Sequence, residues 1–366
     1  MDDQAITSVL PPLYARWIDV LLESPIPPET RATCEDCAMC APGGARPEGS
    51  SFYFSPRVKC CSYQPRLPNY LVGRALKDRE LPSAGRVALE RRIGGGIGVT
   101  PLGLNESPKL GVLYAHSQAA FGRAEALRCP HYLDEGGGRC GIWRHRNSVC
   151  ATWFCKFERG AVGLAFWSRL RDLLLAIEES LALWCVAGSD LDPEAFEVLL
   201  LARGRGHESI TAGELDEVVP PVVARQLWGK WLGREREFYA QSARRVDPLA
   251  WDDVERIGGA EVAARARLTR RAFEALLSEG RPTRLTAGPF RVLSTSHEGV
   301  RVVGYSGSDP LDLDPAVMEV LPYFDGRPTA EALRAIEKEL KVRVEDDLVR
   351  KLADFEILVP PGGDSA

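Results

Sequence analysis

Apolar positions along this 366-residue chain change their spacing several times, and each change marks an expected change of structure. Over residues 6–24, Leu13, Trp17, Val20 and Leu21 recur at helical spacing, with an early disturbance at Pro11 and Pro12, which predicts one amphipathic helix. Residues 25–50 are rich in Pro and Gly and predict loop. Residues 51–160 hold short apolar runs cut by breakers such as Gly94-Gly95-Gly96-Ile97-Gly98. Little regular structure is expected there, because bound ligands can order a chain that lacks strong periodicity.

From about residue 161 the texture turns helical. Phe166, Trp167, Leu170, Leu174, Ile177, Leu181 and Trp184 predict a helix over about 163–186. Further helical patterns cover 193–203, 220–244 and 259–279, the second carrying Leu227, Trp228, Trp231, Phe238 and Tyr239. From about 287 the period shifts again. Residues 290–294 and 300–305 read as strands joined at His297-Glu298-Gly299. Three short helices follow, begun by Asp314-Pro315, by Thr329 as a cap, and by the negative run Glu345-Asp346-Asp347, with a last strand at 357–359.

The fold class expected is α-rich α+β. Four segments are expected: an N-terminal helix and linker (1–33), an irregular Cys-rich metal-binding domain (34–160), a helical middle region (161–285) and a small winged-helix-like domain (286–366). With 45% hydrophobic and 27% charged residues and a net charge of −5, the chain has the balance of a globular protein. No apolar run approaches the roughly 18 residues of a membrane span. The start, Met-Asp-Asp-Gln, is acidic where a secretory signal needs a basic segment, so a cytoplasmic protein is expected. Charge is distributed unevenly. Residues 1–160 carry 20 Lys/Arg against 16 Asp/Glu, and residues 161–366 carry 26 against 35.

Cysteine changes the picture most. Nine of the ten lie between Cys34 and Cys155. In a reducing compartment such clustering points to metal or redox chemistry rather than cross-links. Cys34, Cys37 and Cys40 form a C-x2-C-x2-C run, which lets three thiolates converge on one centre as in ferredoxin-type sites. A ferredoxin run would continue with a Cys at 44, where this chain has Gly, so Cys60 and Cys61 are the nearest candidates for a missing ligand. Cys129, Cys140, Cys150 and Cys155 supply four thiols within 27 residues, enough for a tetrahedral zinc site or a cubane cluster. Arg139, Arg144, Arg146, Lys156 and Arg159 surround this group and would offset thiolate charge. The tenth, Cys185, sits beside Trp184 on an expected helix and reads as a buried structural thiol.

These residues carry a resemblance. The block Cys129…Leu133…Cys140-Gly-Ile-Trp…Arg146-Asn-Ser-Val-Cys150…Cys155, preceded by Cys34/Cys37 and the pair Cys60-Cys61, resembles the YkgJ-type zinc- or iron-chelating family over roughly residues 34–160. Trp143 stands where that family usually has Tyr, and Asn147 where it has Pro. Cys40 and an insertion before Cys60 also depart from its pattern. The segment is similar, too, to the Cys-rich portion of flagellin lysine-N-methylases, which implies an iron–sulfur cluster; no motif for methyl transfer accompanies it. The C-terminal stretch from Asp312 through Phe355 resembles PqqD-like winged-helix domains, which implies recognition of a protein or peptide by strand addition.

Other signals are bland by comparison. His131 and His145 flank the thiols and read as hydrogen-bonding neighbours before ligands. The Gly94–Gly98 run matches no nucleotide-binding pattern and reads as a loop. No HExxH occurs, and Asp252-Asp253 and Asp346-Asp347 fit helix starts. Residues 287–360 carry nine Lys/Arg against fourteen Asp/Glu, which disfavours nucleic acid. The expectation is an iron–sulfur protein, a 4Fe-4S cluster before zinc, in which Cys34, Cys37, Cys40, Cys60, Cys61, Cys129, Cys140, Cys150 and Cys155 supply ligands. Two functions follow: a redox or modification enzyme acting on a protein or peptide, or a non-enzymatic zinc scaffold held by four-cysteine sites.

Overall fold

The computed structural model describes residues 10–30, 32–41, 52–203, 212–215 and 219–362. The chain is helix-rich with small antiparallel sheets, an α-rich α+β protein. By compactness it divides into two units, residues 1–153 with 170–268, and residues 154–169 with 269–366. The Cys-rich segment and most of the helical middle therefore share one unit. No helix among the described residues is long and apolar enough to cross a membrane.

In the first unit the N-terminal helix runs Pro12–Leu22, with Pro11 and Pro12 setting its start, and residues 6–9 of the expected helix lie outside the described residues. Its buried face is Leu13, Tyr14, Trp17, Ile18 and Leu21. Val20, expected on that face, is 56% exposed. The stripe centres on Leu21 and widens toward Tyr14 and Ile18, which leaves Val20 roughly a quarter-turn from its centre, on the edge beyond Leu13.

The stretch expected to be irregular forms four α-helices, Asn69–Lys77, Ser83–Gly95, Pro108–His116 and Ser148–Thr152, and very short strands. Their apolar contacts come from distant helices rather than from a long local period. Leu67, Leu89, Ile93 and Leu104 pack with Trp228, Trp231, Phe238 and Tyr239. The Gly94–Gly98 run is not a free-standing loop. Gly94 and Gly95 end a helix, and Gly96 closes it in the left-handed conformation at φ 71°.

Helices Asn69–Lys77 and Glu235–Val246 come together at Gly73, where a Cβ would lie 1.9 Å from the Tyr239 carbonyl oxygen. Asn69 ties this pair to its surroundings by donating from Nδ2 to the carbonyls of Pro101 and Ala182 at 2.9 and 3.0 Å. The single helix expected over 220–244 is broken. Pro221–Trp228 stops where Gly229 and Gly233 take positive φ (49° and 79°), and Glu235–Val246 starts afresh. Gly259 leaves helical geometry at φ 61°, so a separate helical stretch from Trp251, with Asp252 and Asp253 in its first turn, precedes the helix expected at 259–279.

The second unit carries two three-stranded antiparallel sheets. One orders Arg291–Thr295, Val300–Val303 and Leu311–Leu313; the other orders Asp325–Pro328, Arg284–Ala287 and Leu358–Val359. Val300 and Val302 point inward with Leu311 and Leu313, while Arg301 and Asp312 pair outward across the strands at 2.7 Å. Helices Pro315–Val320, Thr329–Leu340 and Asp346–Asp354 complete this core through Val320, Ala332, Ile336, Val349 and Leu352. Asp314 caps the first by accepting from the Ala316 N–H. Thr329 does not cap the second. It is buried at that helix's first position, and its hydroxyl donates to the Pro282 carbonyl at 2.9 Å.

Candidate metal centre

Eight of the nine clustered cysteines belong to the first unit; Cys155 belongs to the second. None of the ten is in a disulfide. The eight arrive from separate stretches, and local structure aims each one. Cys37, Cys40 and Cys34 lie on a compact loop closed by a bridge between Ala32 and Cys37 and by the Cys40 N–H donating to the Cys37 carbonyl at 3.0 Å. Cys60 and Cys61 occupy a single 3-10 turn. The Cys129 N–H donates to the Cys61 carbonyl at 2.6 Å, which joins the upstream and downstream groups.

Cys140 is placed by a hairpin in which it pairs with Tyr132. The turn of that hairpin runs through Gly136, Gly137 and Gly138 at φ 64°, 79° and 88°, a backbone that residues with a Cβ rarely adopt. Cys150 sits on the short helix Ser148–Thr152, where Asn147 accepts its N–H at 3.0 Å.

The sulfurs accept hydrogen bonds from main-chain N–H groups. Cys37 accepts from Met39, Cys129 from His131 and Cys140 from Ile142, each two residues downstream; Cys34 accepts from the distant Cys140. Such bonds favour thiolate and tune thiolate-ligated metals. A hydrogen bond from the Cys40 thiol lowers Cys37 to about 6, and the Cys61 thiol likewise lowers Cys60, while their donors are pushed upward. Burial raises Cys129 to about 11 and Cys140 to about 12. Cys150 is raised by burial and then by the negative charges of Cys129, Cys140 and Cys60. Mutual repulsion of this kind places the thiols within electrostatic reach of one another. Among the described residues, no three or more Cys, His, Asp or Glu side chains close around a single ion.

The cations at the thiols differ from those expected. Arg146 alone of the named five is buried among them, 7% exposed, with its guanidinium 3.4 Å from the Trp143 ring centre and its Nη1 donating to the Cys150 carbonyl. Arg139 and Arg144 are exposed and pair with Glu135 and Glu80. Arg159, in the second unit, is committed to Asp354, and Lys156 also lies in that unit. Two cations not singled out by sequence take part instead. Lys59 is 5% exposed, holds φ 54°, and donates from Nζ to the carbonyls of Cys34, Gly137 and Gly138. Its adjacency to Cys60-Cys61 was the available signal. Arg92 stands beside Cys129 and reaches His131 Nε2 at 3.1 Å, a contact no local pattern announces.

His131 is buried, held neutral with its pKa lowered to about 3, and leaves Nδ1 without a partner. Since Arg92 can only donate, the His131 proton resides on Nδ1, a spare donor two residues from Cys129. His145 pairs with Asp78 at 2.8 Å, and neither ring is surface-exposed.

No family model matches the chain, and neither a curated protein nor a solved structure does so.

Proposed function

We propose that this chain binds an iron–sulfur cluster through the gathered cysteines and performs a redox or modification step on a protein or peptide. The reading rests on one observation: eight thiols, carried on separate stretches of chain, fall within one unit, several of them within electrostatic reach of one another and with Lys59 and Arg146 beside them. The donor set is all sulfur, which suits soft-metal and cluster ligation, and its number exceeds the four a single tetrahedral ion uses.

The ligand set proposed, within the first unit, is Cys34, Cys37, Cys40, Cys60, Cys61, Cys129, Cys140 and Cys150, and the class is the YkgJ-type one. A bound cluster would supply one-electron transfer or an open iron for substrate. The chain's own part is electrostatic and positional: Lys59 and Arg146 offset thiolate charge, Lys59 clamps the loops, and His131 Nδ1 offers an unused donor. A reducing compartment such as the cytoplasm would keep these thiols available.

The second unit is proposed as a PqqD-like, winged-helix-like docking module for a protein or peptide. Strand Arg291–Thr295 supports this, because it lies at a sheet edge with Val292 and Leu293 exposed.

The test is oxygen-free purification followed by iron, zinc and acid-labile sulfide analysis with a visible spectrum. Iron with equivalent sulfide and broad absorption is expected. Colourless protein with stoichiometric zinc and no sulfide would overturn the cluster and leave a zinc scaffold.

A further inference from the structure

A cavity of about 400 Å³ opens in the first unit. Its volume falls in the range of small-molecule sites, roughly 300–1,000 Å³. The two charged residues on its wall are already engaged within the chain. Arg66 pairs with Glu179 at 4.0 Å, and Glu106 has interactions of its own. A charged ligand would have to break into these pairings or enter without a counter-charge, whereas an uncharged one leaves them in place.

What the wall offers an uncharged ligand is two primary amides and an apolar side. Gln64 is 8% exposed, and its Oε1 has no hydrogen-bond partner among the described residues. Leaving a buried amide oxygen unsatisfied is costly, and such a group in a cavity wall calls for a partner. The last torsion of a glutamine is broad, so a small turn presents either end of the amide to the cavity. The second amide is that of Asn105. Its main chain is fixed on both sides, the N–H donating to the Gly98 carbonyl at 2.8 Å and the carbonyl accepting from Arg92 at 2.5 Å. Leu199, on helix Pro193–Arg203, and Leu227, on helix Pro221–Trp228, supply the apolar side.

A primary amide carries a donor and an acceptor next to each other. The uncharged group that answers this pattern is another amide. An ester only accepts, and an acid or an amine brings a charge. We propose that the cavity binds an uncharged, peptide-like amide with an apolar side chain, its amide paired with Gln64 and Asn105 and its side chain against Leu199 and Leu227. The site is independent of which metal the thiols hold, so its failure and that of the cluster reading are separable.

The experiment is calorimetric titration of the full chain, as purified, with N-acetyl-L-leucinamide and four relatives. N-acetyl-L-leucinamide is expected to bind. N-acetyl-L-leucine, an anion, L-leucinamide, a cation, and N-acetyl-L-leucine methyl ester, which lacks the terminal donor, should each bind roughly tenfold more weakly or worse. N-acetylglycinamide, without the apolar side chain, should be weaker as well. Gln64→Met removes the amide while keeping the side chain's length, and should cost N-acetyl-L-leucinamide roughly tenfold or more. Circular dichroism and metal content check that the variant is folded with its thiol region intact, and the ligand series on the parent chain decides the matter without it. No N-acetyl-L-leucinamide binding up to roughly millimolar concentration, equal or tighter binding of the ester or of either charged form, or a folded Gln64→Met variant that binds like the parent would each overturn the proposal.

Discussion

Glu178 accepts two hydrogen bonds from Ser148, one from its hydroxyl at 2.8 Å and one from its main-chain N–H at 2.5 Å. The carboxyl thereby ties the long helix Gly160–Ala187 to the start of the short helix that carries Cys150, and the Tyr14 hydroxyl also donates to it. Burial outweighs these donors and pushes its pKa up to about 7.

A pH effect on stability follows. The unfolded carboxyl titrates near about 4.3, so the folded state holds this proton more tightly. The stabilisation is complete below the unfolded pKa and is lost as pH rises through about 7. Its size is on the order of 3 kcal/mol. Glu178→Gln keeps an acceptor for the Ser148 N–H, and the Ser148 hydroxyl can turn to accept. Denaturant unfolding between about pH 5 and 8 should therefore show a shallower loss of stability in the variant than in the parent. Identical slopes would refute the assignment.

Lys59 is a second point of leverage. Lys59→Met removes three donated bonds that hold the Cys34 loop against the glycine turn preceding Cys140. A loss of about 3 kcal/mol or more in urea unfolding is expected, with lower metal content in the purified protein. A variant within about 0.5 kcal/mol of the parent would show the clamp to be idle.

The thiols can be separated by substitution. Cys37→Ser, Cys60→Ser, Cys140→Ser and Cys150→Ser should each reduce bound metal. Cys185→Ser should retain it, because that buried sulfur contacts the Ser242 carbonyl at 3.7 Å within the helical core. Full metal content in all four of the first set would mean that the ligands are misassigned.

Gly73→Ala tests the helix pairing beneath the site. The new Cβ would lie 1.9 Å from the Tyr239 carbonyl oxygen and 2.9 Å from Ala243 Cβ. The helices must separate, at a cost of about 3 kcal/mol or more. An unchanged thermal midpoint would contradict this contact.

Much of the secondary structure was legible locally. Periodic apolar residues announced the helix Gly160–Ala187 and the helix Pro193–Arg203, and alternation announced the strands at Arg291 and Val300. The break at Gly229–Gly233 was missed because the aromatic residues on either side keep a helical count across it, although the glycines leave helical geometry. Helices Asn69–Lys77 and Ser83–Gly95 were missed because they bury themselves against the segment around Trp228 and Tyr239, over a hundred residues downstream. Of the thiol surroundings, Arg146 was legible beside Cys150, whereas Arg92 reaches the site only through the fold.

By itself the sequence determined the chemistry available to this protein: nine clustered thiols, one helix-packed thiol, a basic first half and an acidic remainder. Side-chain identity and short-range spacing suffice for that, since they depend on neighbours in the chain. Tertiary structure decided which groups meet. Long-range packing of apolar helices gathers eight thiols into one unit, buries Lys59 beneath Cys34, and places Gln64 and Asn105 on one cavity wall. Burial removes water from these charges and thiols, so their mutual arrangement comes to govern their protonation, and no local pattern encodes that arrangement.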